Sequence, residues 1–418
     1  MLTIIIHKLK SIFEEFPLKF WVLVAAMFVD RVGGTLIFPF FALYITQKFN
    51  VGMTQAGVLI GIFSVSGLVG NMLGGALADR FGRKGMVLFG LVFSALSSVT
   101  MGLVNDLAVF YVLAVVVGLL SDVAGPAWQA MIADILSEEQ RAEGFGVMRV
   151  VGNLAWIVGP TIGGFMAARS YLLLFIMDAV SSLITASIIF RFIPETKPEA
   201  PSDPPHESLL GTFAGYFKVL GDRLYLAYII ASMLMLLVYL QMYNTLSVYL
   251  RDVHGIPPQG YGVLLTSSAV TVIIFQFWVT RRVKGRPPML MMALGTFFYL
   301  IGFSMFGFVS AYLLFILAMV LITVGEMVVM PVGQALAAEF APEDMRGRYM
   351  AVYSLAWAIP STFGAWAAGL IIDNYNPNWV WYAAGIICAL AILGFLWLHG
   401  ATQARFAAVA PTASEESA

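Results

Sequence analysis

The sequence predicts an all-α membrane protein with twelve transmembrane helices in two pseudo-symmetric six-helix halves. Of its 418 residues, 60% are hydrophobic and only 11% are charged, a composition foreign to soluble globular proteins of this length. Many apolar runs reach about 20 residues, the length that a helix needs to cross roughly 30 Å of hydrocarbon. These runs are continuously apolar and do not alternate with polar residues, so they favour helices over a β-barrel.

An internal repeat divides the chain. The segment from Pro126 to Gly164 returns in degenerate form from Pro331 to Gly369, at a constant offset of 205 residues (331 minus 126). The register holds without a gap through an apolar run, a charged loop and a second apolar run. The matched pairs include Gln129 and Gln334, Glu138 and Glu343, Arg141 and Arg346, and Gly159 and Gly364. Repeated halves are a mark of many transporter folds.

Twelve spans follow from the hydropathy pattern. Their predicted bounds are 19–45, 57–78, 86–104, 107–133, 145–168, 171–193, 225–250, 260–280, 288–307, 311–338, 349–372 and 379–398. The predicted halves are therefore 1–193 and 223–398. They are joined by 194–222, a linker rich in proline and glutamate. The Ala-rich tail, 399–418, is predicted to be cytoplasmic and disordered.

The basic residues predict the orientation in the membrane. Almost all of the 23 lysines and arginines lie in one set of loops, and the opposite loops hold only Lys48, Arg169 and Arg251. Basic residues accumulate on the cytoplasmic side, so we expect both termini and the linker to be cytoplasmic. The even number of spans agrees with this orientation.

The sequence points away from an enzyme. It has no phosphate-binding glycine loop and no His and Cys residues at metal-ligand spacing, and its histidines, which are His7, His206, His254 and His399, lie in or near loops. We expect no catalytic residue, no metal and no cofactor. The single cysteine, Cys388, excludes an intramolecular disulfide. A net charge of −1 gives no reason to expect nucleic-acid binding.

The loop after the second span carries a recognisable motif, Gly75-Ala76-Leu77-Ala78-Asp79-Arg80-Phe81-Gly82-Arg83-Lys84. It resembles the signature of the major facilitator superfamily, G-x-L-A-D-[RK]-x-G-R-[KR], and the resemblance extends over about 19–398. It implies a cytoplasmic latch in which Asp79 and Arg83 join Asp134 at the end of span four and favour the outward-facing state. The matched candidates for this latch are Gly75, Asp79, Arg80, Gly82, Arg83 and Asp134. In the second half, the equivalent loop has lost its acidic residue.

Span five resembles a second motif, which the antiporters of this superfamily carry. The pattern G-(x)6-G-P-x-x-G-G is matched by Gly152, Gly159, Pro160, Gly163 and Gly164. A proline kink flanked by glycines gives a smooth face for close helix packing. Such a face is suited to sealing the interface between the halves against leak. The alternative is a packing helix without mechanistic meaning.

Charged residues occur deep inside three spans. Asp30, Asp122 and Glu326 each lie roughly 15–22 Å from a span end, where a charge costs about 2.5–3.5 kcal/mol on insertion scales. We expect them to face the interior, and the resemblance implies that spans one, four, seven and ten line the central cavity. Glu326 has no evident basic partner, so it is suited to carry a proton. Arg31 is expected to meet Asp122 or Asp30.

Two features of the charged spans qualify this picture. The antiporters of the superfamily commonly place an arginine in the middle of span four, and it is missing here; we hypothesise that Arg31 replaces it from span one. Asp178 lies in span six, which is peripheral in this superfamily, so we interpret it as structural.

Polar and aromatic residues of spans one and seven are candidates for the substrate cavity. They are Phe38, Tyr239, Gln241, Met242, Tyr243 and Asn244.

The sequence and the resemblance together predict a proton-coupled antiporter that exports drug-like, amphipathic small molecules by alternating access. Three acids against one arginine in the cavity favour cationic substrates, and Glu326, Asp122, Asp30 and Arg31 are the candidates for proton coupling. Its predicted partners are the substrate, protons and the lipid bilayer of a bacterial inner (plasma) membrane, and we expect a monomer. One alternative is a facilitator or exporter of a metabolite, lipid or glycolipid. The other is a receptor or scaffold without transport.

Overall fold

A computed structural model describes residues 13, 15–196, 218–342 and 345–407 of the chain. The side chains of Ala76, Asp79, Ala142 and residues 404–407 lie outside the described part. Within these described ranges, 12 helices are long and apolar enough to cross a membrane. The predicted fold class, an all-α membrane protein of twelve spans, is confirmed. The predicted linker falls mostly outside the described residues.

The first six spans are built from eight helices. Their bounds are α1 (Leu18–Ile37), α2 (Phe41–Lys48), α3 (Met53–Phe81), α4 (Arg83–Leu103), α5 (Leu107–Ser121), α6 (Gly125–Ile135), α7 (Glu138–Ala167) and α8 (Tyr171–Phe192). The first span comprises α1 and α2, and the fourth comprises α5 and α6.

The last six spans follow the same plan. Their bounds are α9 (Arg223–Tyr239), α10 (Gln241–Asn244), α11 (Leu246–His254), α12 (Pro258–Val283), α13 (Pro288–Phe306), α14 (Tyr312–Glu339), α15 (Arg346–Asn374) and α16 (Trp379–Ala407). The two short helices α10 and α11 follow α9 in the chain.

In two spans of the first half, a 3-10 turn interrupts the α-helix. A 3-10 turn, Phe38–Phe40, separates α1 from α2, and another, Asp122–Ala124, separates α5 from α6. Pro39 lies within the first turn and Pro126 lies two residues after the second, and proline cannot donate the backbone hydrogen bond that continues an α-helix. The second turn places the carboxylate of Asp122 where the span is interrupted.

The chain divides into two compact units. Unit 1 comprises Met1–Pro204, Tyr243–Thr266 and Ala365–Gly369, and unit 2 comprises Pro205–Met242, Ser267–Gly364 and Leu370–Ala418. In unit 1, α8 packs against α1 and α4, so the sixth span contacts the first and the third. In unit 2, α16 packs against α9 and α13, so the twelfth contacts the seventh and the ninth. Equivalent spans of the two halves therefore pair alike, as an internal repeat requires.

One predicted boundary needs correction. The tail was expected to begin at residue 399 and to be disordered, but α16 continues to Ala407. The hydroxyl of Thr402 donates a 2.7 Å hydrogen bond to the carbonyl of Leu398 within this extension. Alanine is the strongest helix former, so the Ala-rich sequence prolongs the helix beyond the hydrophobic span. Residues 408–418 lie outside the described part.

Candidate functional site

Unit 1 contains a cavity of about 900 Å³, called here the charged cavity. Asp30 and Arg31 of α1 line it together with Asp122, and Ser94 and Ser121 add hydroxyl groups. Further lining residues, among them Gln129 and Ala133, come from α6, whose last turn holds Asp134. The cavity therefore extends from the mid-span acids along α6 toward the end of the bundle where the 75–84 motif lies.

A second cavity of unit 1, called here the aromatic cavity, has a volume of about 410 Å³. Phe38, Phe41 and Phe63 line it with Tyr243 and Asn244. The Trp156 ring lies edge-on to Phe38 and Tyr243, with centroid distances of 5.6 and 5.1 Å. An apolar pocket of this size with a few polar groups suits a small organic ligand.

Asp122 lies where the two cavities meet. Asp122, Ser94 and Ser121 line both of them. The side chain of Asp122 is exposed, and its Oδ2 touches the position that a Cβ at Gly67 of α3 would occupy. Gly67 thus makes room for the carboxylate, because any larger residue there would displace it. A carboxylate at this junction can face a ligand in either cavity.

Asp30 and Arg31 point into the charged cavity without forming a direct ion pair. Within the described residues, Arg31 has no carboxylate within 4.0 Å. It still interacts electrostatically with both Asp30 and Asp122. The direct contact expected between Arg31 and Asp122 or Asp30 is therefore not formed, and a role of Arg31 in coupling stays a prediction.

Asp178 of α8 lines the aromatic cavity although it is 6% exposed. The hydroxyl of Ser98, from α4, donates a short hydrogen bond to its Oδ2. A Cβ at Gly33 of α1 would overlap Ser181 Oγ and would lie 2.9 Å from Asp178 Oδ1, so glycine at this position makes room for both side chains. The carboxylate of span six, expected to be structural, thus reaches a cavity wall.

Glu326 belongs to unit 2. The hydroxyl of Tyr239 donates a 2.9 Å hydrogen bond to its Oε1. The Tyr239 ring stacks on Tyr299 at 5.7 Å and lies edge-on to Trp357 at 6.2 Å. Glu326 is absent from the linings of both cavities. The structure therefore gives Glu326 an aromatic setting in which its direct side-chain partner is a neutral hydroxyl.

The candidates from span seven separate into two groups. Tyr243 and Asn244 belong to unit 1 and line the aromatic cavity. Gln241 and Met242 belong to unit 2 and are buried, and the Gln241 amide donates a 2.9 Å hydrogen bond to the carbonyl of Leu237. Their place in a substrate site stays a prediction, as does that of Tyr239.

The motif loop between α3 and α4 contains an ion pair. Arg83 pairs with Asp134 of α6, and their side chains are 15% and 22% exposed. The side chain of Asp79 is outside the described part. Arg80 is exposed and lies over the Phe81 ring at 5.4 Å. No atom comes within 4 Å of a Cβ built at Gly75. The pair joins the second and third spans to the fourth, which is the connection that a latch needs.

Glu195, after α8, contacts the same loop and was missed by sequence reasoning. Its Oε1 accepts from the backbone N–H groups of Arg83 at 2.9 Å and Lys84 at 3.3 Å. It thereby caps the first turn of α4 and opposes the positive end of that helix dipole. Gly82 has φ +90°, which favours glycine, and a Cβ there would lie 2.6 Å from the Glu195 carboxylate. The loop thus has a second acidic partner besides Asp134.

The glycines of α7 lie at close helix contacts in unit 1. A Cβ at Gly163 would lie 2.7 Å from the Leu36 carbonyl oxygen, and one at Gly164 would lie 2.9 Å from Cα of Gly262. Gly159 is in contact with Thr35. Gly152 has no atom within 4 Å of its Cβ position. Pro160 lies inside the continuous helix. Three of the four motif glycines therefore form a packing face.

Known proteins resemble this chain over most of its length. A family model described as Major Facilitator Superfamily matches residues 23–364 and 312–416. The Na(+), Li(+), K(+)/H(+) antiporter of Planococcus maritimus is 27% identical over 397 residues, covering 87% of this chain and 91% of that protein. Multidrug resistance protein MdtH of Shigella flexneri is 22% identical over 388 residues, covering 91% and 93%.

A solved structure shares the fold. The nucleoside transporter NupG superposes with a TM-score of 0.78 at 11% identity, covering 91% of this chain and 99% of its own. The family match, the twelve spans and the motif of residues 75–84 agree. The chain belongs to the Major Facilitator Superfamily, a family that also includes the antiporter and the multidrug resistance protein named above.

Proposed function

We propose that this transporter is a proton-coupled antiporter that exports lipophilic cations. The observation that carries the proposal is the pair of cavities that meet at Asp122. One is walled by phenylalanine and tyrosine rings and the other by charged groups. An apolar cation is recognised by aromatic faces and by a carboxylate, and both are offered at one junction.

The charges of the cavity walls support a cationic substrate. Two carboxylates, those of Asp30 and Asp122, line the charged cavity, and Arg31 is the basic residue among the lining residues of the two cavities. When the carboxylates are ionised, the walls carry an excess of negative charge. An anion would be repelled by Asp30 and Asp122 and would have to compete with them for Arg31. A cation would be attracted by the same two carboxylates.

Coupling follows if proton and substrate compete for the same negative charge. Binding of a cation near Asp122 favours ionised carboxylates and so favours proton release, and by linkage a proton weakens cation binding. Glu326, bonded to Tyr239, is a candidate carrier in unit 2. Rocking of the two halves, held in one state by Arg83 and Asp134, would expose the site to each side in turn. We also propose that both termini of the chain are cytoplasmic.

Inverted membrane vesicles with an acidified interior test the proposal. Tetraphenylphosphonium or ethidium is added, and the rise of internal pH is followed with a fluorescent indicator. Vesicles from cells carrying the empty vector give the background. We expect both cations to drive proton release in proportion to the amount of protein. No response with either cation, from protein shown to be folded and inserted, would contradict the proposal and favour a metabolite or lipid substrate.

A second candidate is exchange of small monovalent metal cations for protons. The P. maritimus relative, named as an antiporter of sodium, lithium and potassium, favours it. The walls also offer oxygen ligands, which suit hard cations, from Ser94, Ser98, Ser121 and the carboxylates. The same vesicles test it on addition of sodium, lithium or potassium chloride. A response to these salts with none to the organic cations would select this candidate.

A further inference from the structure

Two carboxylates of unit 1 are connected by serines from two neighbouring helices. Asp178 and Ser182 lie one turn apart on α8, and Ser94 and Ser98 lie one turn apart on α4. Ser98 donates to Asp178 in one layer. In the next layer, the Ser182 hydroxyl lies 3.4 Å from both Asp30 Oδ1 and Ser94 Oγ. The helices thus stack two polar layers, each with one carboxylate.

The two layers open into different cavities. Asp30 lines the charged cavity, Asp178 lines the aromatic cavity, and Ser94 lines both. Polar groups therefore pass through the wall between the cavities, with one gap, between the hydroxyls of Ser94 and Ser98. Ser94 and Ser98 also face the aromatic cavity together, so one water there can bridge their hydroxyl groups.

We propose that Asp178 and Asp30 form a proton relay in the first half of the chain, connected by Ser98, Ser94 and Ser182. This rests on the proposed function, since the relay would serve proton-coupled antiport. The relay assigns Asp178 the task of holding the exchanged proton beside the aromatic cavity. Glu326 is not needed for this path.

The transfer conserves atoms and charge. For this transfer the Ser98 hydroxyl, which donates to the Asp178 carboxylate in the structure, turns so that its oxygen accepts the proton of the Asp178 carboxyl. Ser98 passes its own proton through a cavity water to Ser94. Ser94 then donates its own proton to Ser182, whose hydroxyl turns from donating to Ser94 to accepting from it. Ser182 delivers the last proton to Asp30. Asp178 ends as a carboxylate and Asp30 as a carboxylic acid, and one proton has moved. The two spacings of 3.4 Å are long for O–H···O bonds, so the path needs a small approach of α8 to both α4, which carries Ser94, and α1, which carries Asp30.

A purely structural carboxylate explains these contacts less well. A buried charge in a span is costly, and a serine at position 178 could bond to Ser98 at lower cost. The charged groups that surround the relay are Arg31 and Asp122 in the charged cavity, and both can respond to which carboxylate is ionised.

Two measurements on the purified full-length protein test the relay. One is binding of tetraphenylphosphonium in detergent, and the other is substrate-driven proton release in reconstituted vesicles. The variants are Asp178→Asn, Asp178→Glu and Ser98→Ala. Matched controls are Ser187→Ala on α8 and Thr100→Ala on α4, whose exposed hydroxyls bond only to backbone carbonyls one turn away.

We expect Asp178→Asn to bind the cation within about threefold of wild type while proton release falls by about tenfold or more, as for loss of a positioned acid or base. Ser98→Ala should slow release with binding kept, Asp178→Glu should restore part of it, and both controls should match wild type. Unchanged release in Asp178→Asn would overturn the relay.

Loss of binding and release together in folded Asp178→Asn would also overturn it, because Asp178 would then be the substrate's counter-charge. If wild type itself releases no protons, the proposed function fails and the relay falls with it.

Discussion

Tyr239 donates a 2.9 Å hydrogen bond to Glu326, so a hydroxyl from span seven faces the carboxylate of span ten. If Glu326 carries a coupled proton, Glu326→Gln should lower cation-driven proton release by at least about tenfold. Tyr239→Phe should lower it less, because the carboxylate remains while its hydrogen bond is lost. Proton release in vesicles, normalised to inserted protein, measures both.

The control for this pair is Tyr382→Phe, which also removes a half-buried tyrosine hydroxyl from unit 2. Tyr382 donates at 2.8 Å to the carbonyl of Gly307. Its loss should leave proton release unchanged. Release that survives in Glu326→Gln would exclude Glu326 as carrier and leave the carboxylates of unit 1, while keeping antiport itself.

The ion pair of Arg83 and Asp134 predicts a charge-swap rescue. Either Arg83→Asp or Asp134→Arg alone places two like charges in a half-buried contact, and losing such a pair costs on the order of 3–5 kcal/mol. Each single variant should transport at least tenfold more slowly than wild type. The double variant should recover part of the rate, as the double-mutant cycle for initial uptake of ethidium into inverted vesicles would show.

Arg191→Gln is the control for the swap, since Arg191 lies at the end of α8 over the Phe192 ring at 5.8 Å. It should transport normally. A double variant as slow as the slower single variant would mean that the pair is not the latch. Recovery should be incomplete, because the Glu195 carboxylate accepts from the backbone N–H of residue 83. In the double variant it therefore lies near the new aspartate and repels it.

The glycine face of α7 predicts a contrast between two positions. Gly163→Ala adds a methyl group 2.7 Å from a backbone oxygen of α1, which cannot move aside without shifting the helix. Gly152→Ala meets nothing within 4 Å. We expect the first to lower the thermal unfolding midpoint in detergent by several degrees and the second to leave it unchanged or raise it, since alanine is the better helix former. Equal midpoints would contradict close packing at Gly163.

The fold was largely predictable, and the site only in part. The apolar runs and the 75–84 motif predicted twelve spans, because hydropathy and turn chemistry are local properties. Membrane depth also singled out Asp30 and Asp122, which line the cavities. The contact of Ser98 with Asp178 joins residues 80 positions apart. A lone serine in an apolar run carries no signal of its partner, so this pair required knowledge of which helices are neighbours.

The aromatic cavity predicts a selective loss of cation recognition. Tyr243→Leu keeps an apolar wall but removes the ring that lies 5.1 Å from Trp156. Cation–π attraction contributes about 0.5–2 kcal/mol, so the KM for tetraphenylphosphonium should rise by about 2- to 30-fold. The maximal rate should change little. Tyr243→Phe is the matched control, because it keeps the ring, and a KM raised equally by both variants would assign the effect to the hydroxyl instead.

His254 predicts how stability depends on pH outside the membrane. It ends α11, its Nε2 lies 3.2 Å from the Tyr249 hydroxyl, and burial lowers its pKa below the ordinary 6.5. The folded state therefore binds this proton less readily than the unfolded chain. The stability due to neutral His254 is present above pH 6.5 and is lost as pH falls from there through the folded pKa. His254→Gln, which cannot titrate, should lose less of its unfolding midpoint between pH 7.5 and 5.5 than wild type. Because the carboxylates titrate in both proteins, an equal loss in the two would show that His254 contributes nothing.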